Sequence, residues 1–505
     1  MSVDTPAATT PETGRRLPPV AEQAVARSSG APMLAGNAVR VLRDATENYP
    51  AWLAAIRAAK RRILFENYIF AKDEVGREFI AALASKAREG VRVRLIYDWL
   101  GTPFAGRLFR PLTQAGGEVR CFNPPRLDNP LGWMSRDHRK SIVVDGEVAF
   151  VSGLCVSRRW VGNPARGIEP WRDMGVELRG PAVAEIEQAF ARVWRGMGAS
   201  IPDDELVRAD GIAPAGNVEV TVVATEPAAP GMYRLDQFIA TIARRTLWLT
   251  DAYFVGMPAY VQALRAAAAD GVDVRLLVPS ASDLPVVSAV SRAGYRPLLE
   301  AGVRLFEWNG SMLHAKTAVA DCRWSRVGSS NLNASSFLAN YELDIAVFDE
   351  GIARQMEEIY LSDLERATEV VLNQRRRVRP VSTGVAHPPE RGRMRGSASR
   401  AAASALRIGN TVGAALTNRR VLGPSEAGLM AKAGAALVVL AVLGVVWPEA
   451  VAVPVGIVAG WIGVALMLRA WKLRRKPRTG GGPDVKRDED GASPADERGR
   501  VEIQD

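Results

Sequence analysis

Short β-rich runs alternate with helical patterns along most of the chain, and the same order occurs twice. In the first copy the β-rich runs fall at 61–65, 90–96 and 115–120, and in the second at 244–248, 271–277 and 301–305. A glycine stands where a helical pattern gives way to a strand in both copies, at Gly90 and Gly271, as is typical of helix ends. The order strand, helix, strand, helix, strand predicts that each copy is an α/β lobe whose helices cover a sheet.

The duplication sets the predicted domain boundaries. We expect a first lobe over 36–200 and a second over 216–372, with a linker rich in Asp, Pro and Gly between them. Residues 1–35 have neither the basic region nor the apolar run of a signal peptide, and we predict a disordered tail. Two tandem lobes can pack as a pseudo-two-fold dimer, which would bring equivalent residues near the axis together.

Composition agrees with this division. A chain of 505 residues with 48% hydrophobic residues exceeds what one hydrophobic core usually serves. The three cysteines, Cys121, Cys155 and Cys322, have no paired spacing, which argues against a disulfide framework or a zinc pattern and indicates a reducing compartment.

The formal charge of +10 suits a polyanionic partner, either nucleic acid or an anionic lipid surface. Eleven arginines and one glutamate lie between 375 and 420, and their net charge equals the formal net charge of the whole chain. We therefore predict a basic linker over 373–428, which is either a solvated segment or a polybasic lipid contact.

Two of the three histidines head the same short motif at equivalent places in the two copies. The motif is H-x-K-x4-D, and it comprises His138, Lys140 and Asp145 in the first copy and His314, Lys316 and Asp321 in the second. Residues two apart on a strand point to one face, so each lobe presents an imidazole beside an ammonium group. The aspartates point to the opposite face, and although they belong to the motif we expect them to order the lobes. The third histidine, His387, lies in a stretch rich in Pro and Arg and is interpreted as a linker residue.

Two imidazoles flanked by two cations suit reactions of a phosphodiester. One neutral imidazole can attack phosphorus and form a phosphohistidine, while the other, protonated, supplies a proton to the departing alkoxide. The two lysines neutralise the non-bridging oxygens as charge grows in the transition state. This scheme needs no metal and no other cofactor, and the sequence has no Asp, Glu and His cluster that would demand one.

The doubled motif, with Gly328-Ser329-Ser330-Asn331 after its second copy, resembles the phospholipase D superfamily, also called the HKD superfamily, over about 36–372. The surroundings of the second motif, 313–316 and 324–333, are similar to those of bacterial cardiolipin synthases. The resemblance implies two phospholipase D-like α/β lobes.

In that superfamily a Ser and an Asn after the motif help to hold phosphate, and a later carboxylate hydrogen-bonds the histidine. The resemblance assigns these roles to Ser329, Asn331 and Glu342 in the second copy. In the first copy it assigns the carboxylate to Asp173, in Trp171-Arg172-Asp173. It also favours His138 as the nucleophile.

The first copy departs from the superfamily pattern at 152–157, where Cys155 occupies the place of the Asn. A thiol is a poor substitute for a carboxamide donor. Either Ser152 or Ser157 compensates, or phosphate is held asymmetrically.

A long apolar stretch lies near the C-terminus. Between Lys432 and Arg469 the only charged residue is Glu449, and the apolar runs on its two sides are close to the length that spans a bilayer. We predict a transmembrane helical hairpin over 429–471, followed by a disordered charged tail over 472–505; the alternative is a buried hairpin of a soluble domain. Basic residues flank both ends, which predicts that the catalytic lobes lie on the cytoplasmic face of a bacterial inner membrane.

Three functions are compatible with these residues. The first is a phosphatidyltransferase of the cardiolipin synthase type, which converts two phosphatidylglycerols into cardiolipin and glycerol. The second is a hydrolytic phospholipase D, and the third is a nuclease or a nucleic-acid-binding relative. The predicted hairpin argues against the third, so phospholipid, and phosphatidylglycerol in particular, is the expected partner and nucleic acid is not. The sequence leaves the acceptor alcohol and the oligomeric state open.

Overall fold

The computed structural model describes residues 19–125, 135–227, 229–284, 290–372 and 378–380, together with isolated helical positions between 435 and 467. The predicted hairpin and charged tail fall on residues that lie almost wholly outside these ranges. Over the described part of the chain, no helix combines the length and the apolar character needed to cross a bilayer.

The first lobe follows helix α1 (Pro19–Ser29) and builds a seven-stranded region with helices on its faces. Its elements are β1 (Met33–Arg43), α2 (Asp44–Ala58), β2 (Arg62–Asn67), α3 (Glu74–Arg88), β3 (Arg92–Asp98), α4 (Gly106–Gln114), β4 (Glu118–Phe122), β5 (Lys140–Val144), β6 (Val148–Ser152), α5 (Arg158–Val161), β7 (Met174–Arg179) and α6 (Ala182–Gly196).

The second lobe repeats this order after two short 3-10 turns. Its elements are β8 (Val218–Thr225), α7 (Gly231–Ile242), β9 (Thr246–Thr250), α8 (Pro258–Ala269), β10 (Asp273–Pro279), α9 (Tyr295–Glu300), β11 (Arg304–Trp308), β12 (Thr317–Ala320), β13 (Trp324–Gly328), α10 (Ala334–Leu338), β14 (Glu342–Phe348), α11 (Glu350–Leu364), β15 (Ala367–Leu372) and β16 (Val378–Pro380).

The described strands form one sheet in which the two lobes have the same strand order. Read outward from the junction, the first lobe runs β1-β7-β6-β5-β2-β3-β4 and the second β8-β14-β13-β12-β9-β10-β11, followed by β15 and β16. Strands β1 and β8 pair antiparallel at the junction. Within each lobe three strands are parallel and the others antiparallel. The predicted tandem repeat of α/β lobes is therefore confirmed.

Both lobes contribute to one central apolar cluster. Helix α6 contributes Phe190 and Trp194, helix α11 contributes Met356 and Tyr360, and strand residues of both lobes complete it. Each lobe also has its own cluster under its outer helices. Because burial of apolar surface is the main stabilising term, the central cluster holds the lobes against each other, and the site that lies between them depends on it.

The N-terminal prediction is wrong for residues 19–35. Helix α1 packs against α7, with Val25 1% exposed, and β1 already begins at Met33. The apolar residues of this segment are few, and they are buried only because they pack against α7. The predicted basic linker also needs correction at its start, because β16 pairs with β15.

The motif aspartates form identical turns in the two lobes. Asp145 and Asp321 both have positive φ, 55° and 53°, a conformation that Asp tolerates better than most residues. The Asp145 carboxylate accepts hydrogen bonds of 2.7–2.9 Å from the backbone N–H groups of 60–62, and Asp321 accepts the equivalent bonds from 244–246. Both carboxylates are thus engaged in joining a hairpin turn to the start of a strand, which argues against a catalytic role.

Replacing Asp145 by Ala should destabilise the first lobe by about 2–4 kcal/mol, because three N–H groups lose a charged acceptor and Ala adopts positive φ poorly. Asp145→Asn should cost less, since it keeps one acceptor oxygen. The measurement is the urea unfolding midpoint. Glu147→Ala removes an exposed ion pair with Arg61 on the same turn and is the control, with an expected effect within about 0.5 kcal/mol. Equal midpoints for Asp145→Ala and Glu147→Ala would contradict this role.

Candidate active site

Each motif histidine stands just before a central strand and is held there by the other lobe. The His138 backbone N–H donates to the Tyr341 carbonyl at 2.9 Å, and the His314 N–H donates to the Arg172 carbonyl at 2.7 Å. Short parallel bridges, Asp137 with Tyr341 and Arg172 with Leu313, continue these contacts. The pseudo-two-fold arrangement therefore brings the start of β5 beside the start of β14, and the start of β12 beside the start of β7.

The carboxylates are exchanged between the lobes. His138 Nδ1 lies 2.9 Å from Glu342 Oε2, and His314 Nδ1 lies 2.7 Å from Asp173 Oδ2. Glu342 belongs to the second lobe and Asp173 to the first, so neither lobe holds its own histidine. A carboxylate at Nδ1 favours the tautomer with its proton on Nδ1, which leaves Nε2 free to react.

Both carboxylates are completely buried and further hydrogen-bonded. Ser329 Oγ donates to Glu342 at 2.6 Å, and Trp160 Nε1 donates to Asp173 at 2.8 Å. Burial alone would raise the pKa of each carboxyl, but the facing histidine, the nearby lysines and these donors lower the pKa of both. The two groups therefore stay ionised opposite the imidazoles.

The motif lysines are buried beside the histidines. Lys140 and Lys316 are each 1% exposed, each ammonium group donates to the backbone carbonyl of its motif histidine, and Lys316 Nζ lies 2.9 Å from His314 Nδ1. Burial lowers the pKa of Lys316 to about 8, and the charge of Lys140 contributes to the shift. Two cations thus share one enclosed space, which favours an anionic ligand.

Burial favours the neutral form of both imidazoles. Burial lowers the pKa of His138, and Lys140 adds to the effect. Burial lowers the pKa of His314 further, to about 3, with Lys316 adding to it. Aromatic rings enclose both residues: Tyr68 lies 5.0 Å from the His138 ring, and Trp160 lies 5.2 Å from the His314 ring. A phosphodiester brings a negative charge that would raise both pKa values and allow one imidazole to carry a proton.

The predicted phosphate-binding residues Ser329 and Asn331 differ in the hydrogen bonds that their side chains make. The Ser329 hydroxyl donates its proton to Glu342, so this proton is already used in orienting the carboxylate. Asn331 is 4% exposed, and its Oδ1 has no hydrogen-bond partner within the described residues. The Asn331 side chain therefore retains capacity for a further polar contact.

The first lobe lacks the equivalent carboxamide, and the two nearby serines make local hydrogen bonds. Cys155 is 1% exposed, and burial raises the pKa of its thiol although Lys140 and Lys316 act in the opposite direction. Ser157 Oγ caps α5 and donates to Asp73, and Ser152 Oγ accepts from the Leu154 N–H. Polar contacts around the site are therefore asymmetric, with the second lobe supplying more of them.

Several residues of the site were not predicted from the sequence. Arg139, between the motif His and Lys, is fully buried and donates to the carbonyls of Glu342, Ala189 and Thr225, which joins the lobes. Tyr68 and Tyr253 face the two histidine rings. Their positions after β2 and β9 were visible in the duplicated pattern, but no spacing rule relates an aromatic residue to a histidine on another strand.

A cleft of about 710 Å³ opens next to His314. Trp160 and Trp171, whose rings contact His314, are among the residues that line it. Its wall also has four basic and two acidic residues, which are Lys72, Arg158, Arg159, Arg166, Asp73 and Glu74. No group of three or more His, Cys, Asp and Glu residues with metal-site geometry occurs in the described ranges.

Comparison with known proteins assigns the chain to a family. The profile described as "Cardiolipin synthase, PLD-like domain" matches residues 52–194 and 238–364, one match in each lobe. The chain belongs to this family. The cardiolipin synthase A of Pseudomonas fluorescens (strain SBW25) is 34% identical over 357 residues, 69% of this chain and 73% of the relative. That of Pseudomonas aeruginosa (strain LESB58) is 35% identical over 361 residues, 71% and 73% of the two chains.

A solved structure supports the fold of this cardiolipin synthase family member. The phosphatidylserine synthase of Haemophilus influenzae Rd KW20 superposes with a TM-score of 0.55 at 14% identity, over 69% of this chain and 91% of that chain. The family profile and the two cardiolipin synthase relatives confirm the predicted resemblance to the phospholipase D superfamily and to cardiolipin synthases.

The lowered pKa of Lys316 predicts an alkaline loss of activity. Lys316 is charged below its pKa of about 8 and loses its proton as the pH rises through that value, so kcat/KM for a soluble phosphodiester should fall above about pH 8. An ordinary lysine would retain its charge to about 10.5. Lys316→Arg should be slower but should not show this fall, because Arg stays protonated. A wild-type profile that stays flat to pH 10 would contradict the assignment.

Proposed function

We propose that the protein is a phosphatidyltransferase of the cardiolipin synthase type that moves a phosphatidyl group from one phosphatidylglycerol to another. The observation that carries the proposal is the pair of imidazoles, each held by a carboxylate of the other lobe and flanked by the buried Lys140 and Lys316. Such a site offers two reactive Nε2 atoms and two cations to one phosphodiester. Family membership agrees with this chemistry.

In the proposed first step, His138 Nε2 attacks the phosphorus of phosphatidylglycerol and the bond from phosphorus to the glycerol headgroup oxygen breaks. His314, protonated while the anionic substrate is bound, donates its proton to that oxygen, and glycerol leaves. His138 is the preferred nucleophile because its side chain is 13% exposed against 6% for His314, in agreement with the family resemblance.

In the second step, a headgroup hydroxyl of another phosphatidylglycerol gives its proton to His314, and its oxygen attacks the phosphohistidine. The N–P bond breaks, His138 is released, and cardiolipin is formed. Lys140 and Lys316 balance the charge on the phosphorus oxygens in both steps. Glu342 and Asp173 stabilise the imidazolium that forms at the residue each one contacts.

We also propose that residues 429–471 anchor the enzyme in a bacterial inner membrane with its lobes on the cytoplasmic face. Support comes from the apolar sequence and its basic flanks, which follow the positive-inside rule. This location would supply phosphatidylglycerol as both donor and acceptor, since anionic lipids are found in that leaflet.

The test uses full-length protein in vesicles that contain labelled phosphatidylglycerol. We expect labelled cardiolipin and free glycerol, and we expect His138→Ala and His314→Ala each to lower turnover by roughly 10³-fold or more, since the cycle needs both imidazoles. His387→Ala changes the third histidine and should leave turnover unaltered. Phosphatidic acid as the main product would instead indicate hydrolysis, and near-normal turnover by either motif variant would contradict the mechanism.

A phosphodiester with a nitrophenyl leaving group separates the roles of the histidines, because this leaving group departs without a proton. His314→Ala should still release one equivalent of nitrophenol in a burst and retain the rest of the substrate, its phosphorus bonded to His138 Nε2, whereas His138→Ala should give no burst. The reverse pattern would assign the nucleophile to His314.

A further inference from the structure

An exposed phenylalanine follows Pro103, which lines the cleft next to His314, and it has a strained backbone conformation. Phe104 is 82% exposed and has φ of 55°. Bulky residues rarely occupy the left-handed region, which favours glycine or asparagine. A large apolar side chain that is both exposed and strained is unfavourable for folding alone, and such positions concentrate at functional sites.

The surrounding loop holds Phe104 in this position. Lys72 Nζ donates to the carbonyls of Pro103 and Phe104, at 3.3 and 2.9 Å. Thr102 Oγ1 accepts from the Phe70 N–H at 2.9 Å, and the Trp99 ring lies 6.1 Å from that of Phe104. The exposure of Phe104 is therefore part of an ordered turn, in which Pro103 and Lys72 also line the cleft.

Two other partly exposed apolar side chains lie at this cleft or next to residues that line it. Val161 and Ile168 are 38% and 39% exposed, and Ile168 lines the cleft. Arg107 and Arg110 are exposed on α4, which begins two residues after Phe104. The cleft wall has four basic residues against two acidic ones, so its own charge is positive, and Arg107 and Arg110 add positive charge on the helix that follows Phe104.

We propose that Phe104, Val161 and Ile168 form a docking face that inserts into an anionic phospholipid surface and aligns the cleft mouth with the lipid headgroups. Apolar residues ringed by cations are the combination that binds such an interface, because the apolar groups enter the acyl boundary and the cations meet phosphate. The choice of lipid as the occupant rests on the proposed function. The docking face is distinct from the anchor at 429–471, because it sets the orientation of the lobes on the surface and the route by which a lipid reaches His314.

The direct test places the photoreactive residue p-benzoylphenylalanine at position 104 of the full-length protein, in vesicles of phosphatidylglycerol and phosphatidylcholine. Illumination should give phospholipid adducts at position 104. The same probe at Val20, an apolar residue of α1 that is 78% exposed, is the matched control and should give roughly tenfold less adduct. Equal lipid adducts at both positions, or adducts at 104 that are mainly protein, would overturn the proposal.

A second measurement separates docking from chemistry. Phe104→Asp should lower turnover of vesicle phosphatidylglycerol roughly tenfold, by the loss of one buried aromatic side chain at the interface, and should leave turnover of a soluble phosphodiester unchanged. Val20→Asp should alter neither rate. Unchanged turnover of vesicle lipid by Phe104→Asp would overturn the docking face while the proposed function stands. Failure of the proposed function is distinguished by wild-type protein that forms no cardiolipin from vesicle phosphatidylglycerol.

Discussion

The exchange of carboxylates between the lobes is the constraint on which the site depends. His138 is bound by Glu342 and His314 by Asp173, so each lobe supplies half of the hydrogen-bonded pair that the other lobe needs. A single lobe would have an imidazole with no carboxylate beside it. The central apolar cluster and the buried Arg139, which donates to carbonyls of both lobes, therefore serve the chemistry as much as the stability.

The electrostatics of the centre follow from this enclosure. Two carboxylates and two lysines lie at or below 1% exposure, and burying four charges is costly unless they are paired and hydrogen-bonded. The carboxylates are satisfied by the imidazoles, Ser329 and Trp160, whereas the lysines donate mainly to the backbone carbonyls of the motif histidines. These four charges sum to zero, so an incoming phosphodiester anion would add one negative charge, which a proton on one imidazole would offset. The same anion would raise the pKa of His314 from about 3, so that substrate binding itself prepares the acid.

The sequence was sufficient to predict the repeat and the two motifs. The period-two alternation of a strand placed His138 beside Lys140 and turned Asp145 away, and the structure has Asp145 joined to backbone N–H groups at a turn. The sequence could not reveal contacts between residues that lie far apart along the chain. No local pattern predicts that Glu342 hydrogen-bonds the histidine of the other lobe, or that Arg139 donates hydrogen bonds to three backbone carbonyls. Helix α1 was missed because its few apolar residues have meaning only against α7.

The most direct test of the carboxylate–histidine pairs between the lobes is the ¹⁵N NMR spectrum of the imidazoles. The full-length protein has three histidines and would be labelled only at these residues. Glu342→Gln, a change in the second lobe, should shift the Nδ1–H resonance of His138 in the first, and Asp173→Asn should shift that of His314. Each substitution should leave the other motif histidine nearly unchanged. If each substitution instead altered the histidine of its own lobe, or neither resonance moved, the exchanged pairs would be absent in solution and the account of the site would fail.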